Sequence, residues 1–317
     1  MTVCKQTRSL GYEGIRSFCR FPLCFEIDNL DADVAIIGSA LDTGTTNRCG
    51  ARYGPQAIRE GSMIYSLGLT ENEDLFDVET QKFMLKGLRV VDCGDIPTPP
   101  TLMNECFDLI TDAIKTIASR RIIPVILGGD HSVSFPVVRG LKGKSFHVIQ
   151  FDAHLDLMDN VFGMKYTHGN PMKRILEMDH VTGMTQIGIR GLLNGDDWET
   201  ACKEAKTTVI TADEVHEKGE EWVAANIPEV ENLYITLDID VFDPKEAPGT
   251  GTPEFGGLYY RQMVCLLRKI LAKGNLVGMD IVEVNPLFDP TGRTGQLAAR
   301  LILDIIGSAK FDFSTKT

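Results

Sequence analysis

The stretch Phe146-His147-Val148-Ile149-Gln150-Phe151-Asp152-Ala153-His154-Leu155-Asp156 sets the reading of this chain. Its first half is a short, mostly apolar run, the pattern of a strand buried on both faces of a parallel sheet. Its second half places Asp152, His154 and Asp156 at alternate positions, and in an extended chain alternate side chains share one face. The pattern returns where the apolar run Leu233–Leu237 leads into Asp238-Ile239-Asp240. Carboxylates this close repel one another, and cations between them relieve the repulsion. Carboxylate with imidazole suits manganese, zinc, nickel or iron better than a thiolate site would.

Working outward, further apolar runs occur at Val34–Gly38, Leu88–Val91, Ile122–Leu127, Thr185–Ile189, Thr207–Ile210 and Leu276–Val282. Amphipathic stretches lie between several of them, clearest at Thr101–Ser119, Tyr259–Ala272 and Gln296–Ile306. This alternation predicts an α/β fold: one doubly wound sheet of eight strands with helices on both faces. Ionisable residues then fall at four strand ends, where open α/β sheets bind ligands. They are Asp130 and His131 after Ile122–Leu127, Asp152–Asp156, Asp238 with Asp240, and Glu283 after Leu276–Val282.

Gly128-Gly129 before His131 permits a sharp turn and close approach to a site. Asp243-Pro244 reads as a turn initiator, which leaves Asp238 and Asp240 unexplained by structure alone. His168, between Thr167 and Gly169, reads either as an exposed histidine or as a proton shuttle. Glu283 reads as a cap, an ion-pair partner, or a carboxylate gripping a cation, which a guanidinium fork fits bidentately. His147 is out of phase with the 152–156 cluster and is expected to be packed, with His180 and His216 on the surface. The 39–54 stretch is glycine-rich, but lacks the Gly-Lys-Ser/Thr of a phosphate-binding P-loop.

The 317 residues carry 32 Lys and Arg against 44 Asp and Glu, a formal charge of −12. That balance argues against nucleic-acid or anionic-membrane partners. Eight cysteines (4, 19, 24, 49, 93, 106, 202 and 265) never form a C-x-x-C pair, as expected of free thiols in a cytoplasmic protein. Neither a secretory signal nor a membrane span is legible.

Together, Gly128–Ser132, Asp152–Asp156, His168-Gly169, Asp238–Pro244 and Glu283–Pro286 resemble the ureohydrolase family, which includes arginase and agmatinase. Ala247–Glu254 and Gly50–Arg59 are similar to its agmatinase branch. The resemblance runs from about residue 32 to 310 and implies a single catalytic domain with residues 1–31 as an N-terminal extension. It implies a three-layer fold, a homotrimer or homohexamer, and two divalent metals, usually manganese, with nickel an alternative. By the same resemblance His131 and Asp156 serve one metal and His154 the other, with Asp152, Asp238 and Asp240 bridging or chelating. His168 takes the shuttle role and Glu283 binds a substrate guanidinium, which is cleaved to urea and an amine.

Before His168, arginases usually carry Ser-Gly-Asn and several agmatinases a glutamate. This chain has Phe162-Gly163-Met164-Lys165-Tyr166-Thr167 there. With Met164, Lys165 and Tyr166 as the substrate loop, the expectation moves to an anionic tail such as that of 4-guanidinobutyrate. Agmatine follows, then guanidine or an alkylguanidine. A catalytically silent metal-binding subunit, or a deacetylase or formiminoglutamate hydrolase on the same fold, are the competing classes.

Overall fold

A computed structural model of the protein describes residues 10–70, 74–195, 198–205 and 207–313. The strands are β1 (Val34–Ser39), β2 (Phe76–Asp77), β3 (Lys82–Phe83), β4 (Val90–Ile96), β5 (Ile123–Leu127), β6 (Phe146–Phe151), β7 (Val181–Ile189), β8 (Thr207–Thr211), β9 (Asn232–Asp238) and β10 (Asn275–Val282). Each of the eight expected runs forms a strand of one sheet, ordered β4-β1-β5-β10-β9-β6-β7-β8. All its pairings are parallel. The two-residue strands β2 and β3 form a separate antiparallel hairpin that the sequence did not announce.

The helices are α1 (Gly54–Ser66), α2 (Met103–Ser119), α3 (Ser134–Gly140), α4 (Pro171–Leu176), α5 (Trp198–Ala205), α6 (Ala212–Ala225), α7 (Tyr260–Ile270) and α8 (Arg293–Ser308). They divide between two apolar cores. Ile58, Val215, Met263 and Leu301 of α1, α6, α7 and α8 enter one, and Ile110, Val137, Ile175 and Cys202 of α2 to α5 enter the other. The period of two in β5 serves both: Ile123, Val125 and Leu127 join the first core and Ile126 the second. The result is three layers, α/β/α.

The run Leu88–Val91 marks only the start of β4, which continues through Asp92 and Asp95. Arg59 of α1 makes those carboxylates tolerable inside a strand, donating from Nε to Asp92 (2.8 Å) and from Nη1 to Asp95 (2.7 Å). The N-terminal segment uses the same anchor, because Phe18 N–H donates to Asp92 (2.7 Å). Cys4 lies outside the described residues, and the other seven cysteines are free thiols. No described helix is long and apolar enough to cross a membrane.

Candidate active site

Strands β5, β10, β9 and β6 are neighbours in the sheet, so the four ionisable clusters that follow them emerge side by side. Gly129 lets the first of these in. A Cβ there would lie 1.7 Å from the Leu41 carbonyl oxygen, so any larger residue would push the 41–44 segment off the site. Asp130 then ties that segment down, accepting the Gly44 N–H at 2.7 Å.

The ligand-like residues converge by turning, not by the extended geometry expected. β6 ends at Phe151, and Asp152 Oδ1 accepts the His154 N–H at 2.6 Å. β9 ends at Asp238, whose Oδ1 accepts the Asp240 N–H at 2.8 Å. Short acidic side chains capture backbone donors two residues on, and this bends the chain where the ladder stops. Asp156 (φ +52°) and Glu283 (φ +62°) both hold left-handed backbone, a strained state for residues other than glycine that clusters at functional sites.

Donor atoms of His131, Asp152 and Asp156 lie within 4.8 Å of one another, as do those of Asp152, His154 and Asp240. Asp152 belongs to both groups, and Asp238 comes within 3.4 Å of His131 Nδ1. Thr236 fixes the imidazole of His131. Its hydroxyl donates to Asp280 (2.6 Å) and so must accept from His131 Nε2 (2.9 Å). In the neutral ring Nδ1 then carries a lone pair, 3.0 Å from both Asp152 and Asp156. It has no hydrogen-bond partner, and neither has the buried His154 Nε2. The His131 lone pair faces carboxylate oxygens, and His154 turns its Nδ1 to Asp240 at 3.2 Å; a buried pocket lined in this way fits a cation.

Protons report the same shortage of positive charge. Burial opposes charge on His131 and His154, yet their carboxylate neighbours raise the first well above its ordinary value and the second to about 12. Burial and then Asp240 push Asp238 well up, and burial with Asp152 lifts Asp156 to about 6. Asp152 is lowered despite burial by His131 and His154 beside it.

Beside this cluster, Glu283 Oε1 accepts the His131 N–H (2.9 Å) and bonds His168 Nδ1 (3.1 Å). Its Oε2 is buried and has no partner. Thr46 donates its N–H to His168 Nε2 (3.1 Å), which fits the neutral ring with its hydrogen on Nδ1. Burial works against charge on His168, and Glu283, Asp130 and Asp156 outweigh it, raising the ring to about 9. Loop and carboxylates thus pull this ring toward different protonation states.

A model of the Arginase family matches residues 32–307. The chain belongs to the arginase family. This arginase-family protein is 34% identical to the guanidinobutyrase of Pseudomonas aeruginosa, over 93% of this chain and 92% of that one. It is also 34% identical to the mitochondrial agmatinase of Gallus gallus, over 92% and 85%. The solved proclavaminate amidinohydrolase from Streptomyces clavuligerus superposes with a TM-score of 0.84 at 33% identity, covering 95% and 98%. Membership makes the protein a metal-dependent ureohydrolase, and the arginase fold implies a binuclear divalent metal site, which the paired His/Asp groups fit.

The cluster opens into a cavity of about 760 Å³ whose walls include Thr46, His168, Met158, Phe162, Lys173 and Asn194. The substrate loop expected at 164–166 is displaced from it. Lys165 and Tyr166 line a separate recess with Phe107 and Phe135, where the Tyr166 ring stacks on Phe135 at 5.7 Å. Met164 lines neither; it pairs backbone to backbone with Val161 (2.9 Å each way) and its side chain is half-exposed. The apolar demand of Tyr166 turns this stretch away, and residues 157–162 form the wall instead. Sequence reasoning also missed Thr46, Thr236, Asp280 and Gln150, whose Nε2 donates to Asp152 at 2.7 Å. Polar residues inside β6, β9 and β10 were the available signal, since a central strand buries them only with partners.

Proposed function

We propose that the protein hydrolyses an ω-guanidino acid, 4-guanidinobutyrate being the best candidate, to urea and the corresponding amine. The guanidino part of the reading rests above all on Glu283 Oε2, a buried carboxylate oxygen without a partner in the carboxylate group that also bonds the shuttle candidate His168, and the acid part on the likeness to guanidinobutyrase and guanidinopropionase. A guanidinium N–H is a matching donor for such an oxygen.

In this reading His131 and Asp156 would hold one divalent cation and His154 the second, with Asp152, Asp238 and Asp240 completing the ligand set. Manganese is the metal we favour and nickel the alternative, since oxygen and imidazole donors suit either. When bound, the cations lower the pKa of water toward neutrality and so supply the nucleophile. Glu283 orients the planar guanidinium toward the cluster. His168 carries a proton to the departing amine, and Thr46 holds its ring in place through Nε2. Gln150 and Thr236 keep Asp152 and His131 from rotating.

A single catalytic core over about 32–310 with 1–31 as its extension, a homotrimer or homohexamer, and a cytoplasmic setting belong to the same proposal. Agmatine is the second reading, favoured by Glu204, an exposed carboxylate on the cavity wall. The test is urea release by metal-free protein reloaded with manganese or nickel. The panel is 4-guanidinobutyrate, 3-guanidinopropionate, agmatine, arginine, methylguanidine and guanidine. Highest kcat/KM for a guanidino acid is the expected result. No urea from any of them, with two metals bound per chain, would turn the reading toward a silent subunit or another hydrolase of this fold.

A further inference from the structure

The displaced 164–166 stretch leaves the question of what recognises the substrate tail. Among the described residues lining the cavity, one lysine and no arginine occurs, and it is Lys173. It sits in the first turn of α4, where the N–H groups of Met172 and Lys173 both approach the Asp156 carbonyl (3.2 and 3.4 Å). Those bonds couple the root of the Lys173 side chain to the metal-ligand candidate Asp156 in the 152–156 turn. The side chain is half-buried and makes no ion pair within 4.0 Å of a described residue.

Its two acidic neighbours are otherwise engaged. Arg174, the next residue along, takes Asp159 at 2.5 Å and Glu177 at 3.2 Å. Asp159 is held below the usual carboxylate range by Arg174 first, with smaller contributions from Lys165 and Lys173. Apart from the metal-ligand candidates Asp156 and Asp238, the remaining acid on the cavity wall is Glu204, which is solvent-exposed, and water screens its charge more than that of a half-buried ammonium. Half-burying a cation without a partner is unfavourable, and an anion arriving in the cavity relieves it.

We infer that Lys173 is the specificity-determining residue of this enzyme, binding the carboxylate of an ω-guanidino acid whose guanidinium is held by Glu283. This rests on the amidinohydrolase reading above and extends it to the other end of the substrate. Lysine suits the task as a mobile point charge on a flexible stem, able to follow acids of different chain length.

The experiment measures kcat and KM for 4-guanidinobutyrate, 3-guanidinopropionate and agmatine in the metal-loaded wild type, Lys173→Met, Lys173→Glu and Lys173→Arg. Loss of one charge-assisted contact raises KM for the acids roughly tenfold or more, with kcat changed less. Lys173→Glu should move the preference toward agmatine, and Lys173→Arg should retain acid binding, which a merely structural lysine would not distinguish from Met. Wild-type turnover of the acids with KM unmoved in both Met and Glu variants overturns the role of Lys173. A wild type that prefers agmatine also overturns it, while leaving the amidinohydrolase reading intact. No urea from any substrate removes both.

Discussion

At β4, Arg59 lies between Asp92 and Asp95, and its Nη2 also donates to Asp92 and to the Gly94 carbonyl. Asp92 in turn accepts the N–H groups of Phe18 and Gly94. Beyond β6 and β9, Asp152, Asp156, Asp238 and Asp240 surround His131 and His154, and both rings keep a nitrogen without a partner. Both clusters are buried charge on one sheet. The first is complete within the chain, and the second is complete only when something positive arrives. The difference separates charge buried to hold a fold from charge buried to hold a ligand.

Breaking each cluster should therefore have opposite signs in metal-free protein. Asp92→Ala leaves the Arg59 guanidinium buried with only the half-exposed Asp95 and should cost about 3–5 kcal/mol of stability. Asp238→Asn removes a carboxylate whose ionisation burial and Asp240 already oppose. Without metal that variant should melt no lower than wild type, yet it should lose metal and urea release. Thermal melts with a chelator, paired with metal content by mass spectrometry, check both. Parallel destabilisation by the two substitutions would dissolve the contrast.

Two buried histidines sharpen it. His131 stands among carboxylates, whereas His147 of β6 bonds Thr185 (2.9 Å) and is lowered by burial to about 4. The folded His147 thus stays neutral after the unfolded ring has taken its proton. Stability present above pH 6.5 is lost as pH falls toward 4, by about 3 kcal/mol for two to three pKa units. His147→Gln, denatured with urea across that range with chelator present, should show a shallower acid limb by about one proton. An unchanged limb would mean that this ring titrates normally in the core.

The pattern of strands was readable because each central run is mostly apolar, and four of the eight lead into acids or histidine. Convergence of those ends was readable too, since parallel strands present their carboxyl ends on one side. Boundaries failed where polar residues sit inside strands: Asp92 and Asp95 hid most of β4, because their compensation by Arg59 is a contact across 33 and 36 residues. For the same reason Thr236, Asp280 and Gln150 went unnoticed behind the ligand candidates. The route to convergence was misread as well, because alternation in the letters predicts an extended chain and the carboxylates themselves capture the backbone. The 164–166 stretch, expected as the substrate loop, lies off the cavity wall, and nothing local to it reveals that Phe107 and Phe135 draw Tyr166 away.

That stretch yields the smallest expected effect. Met164→Glu introduces an acid next to Lys165, and on sequence grounds it should favour agmatine over 4-guanidinobutyrate. In the structure Met164 is 49% exposed and outside the cavity wall, so its charge acts through water. Two unit charges about 10 Å apart in water interact by roughly 0.4 kcal/mol, and physiological salt screens that further. The ratio of kcat/KM for the two substrates should therefore move by no more than about twofold. Lys173→Glu places the same acid inside the cavity and should move it far more. A tenfold or larger change from Met164→Glu would show that the 162–167 stretch folds over the substrate during turnover, and would return tail recognition to that loop.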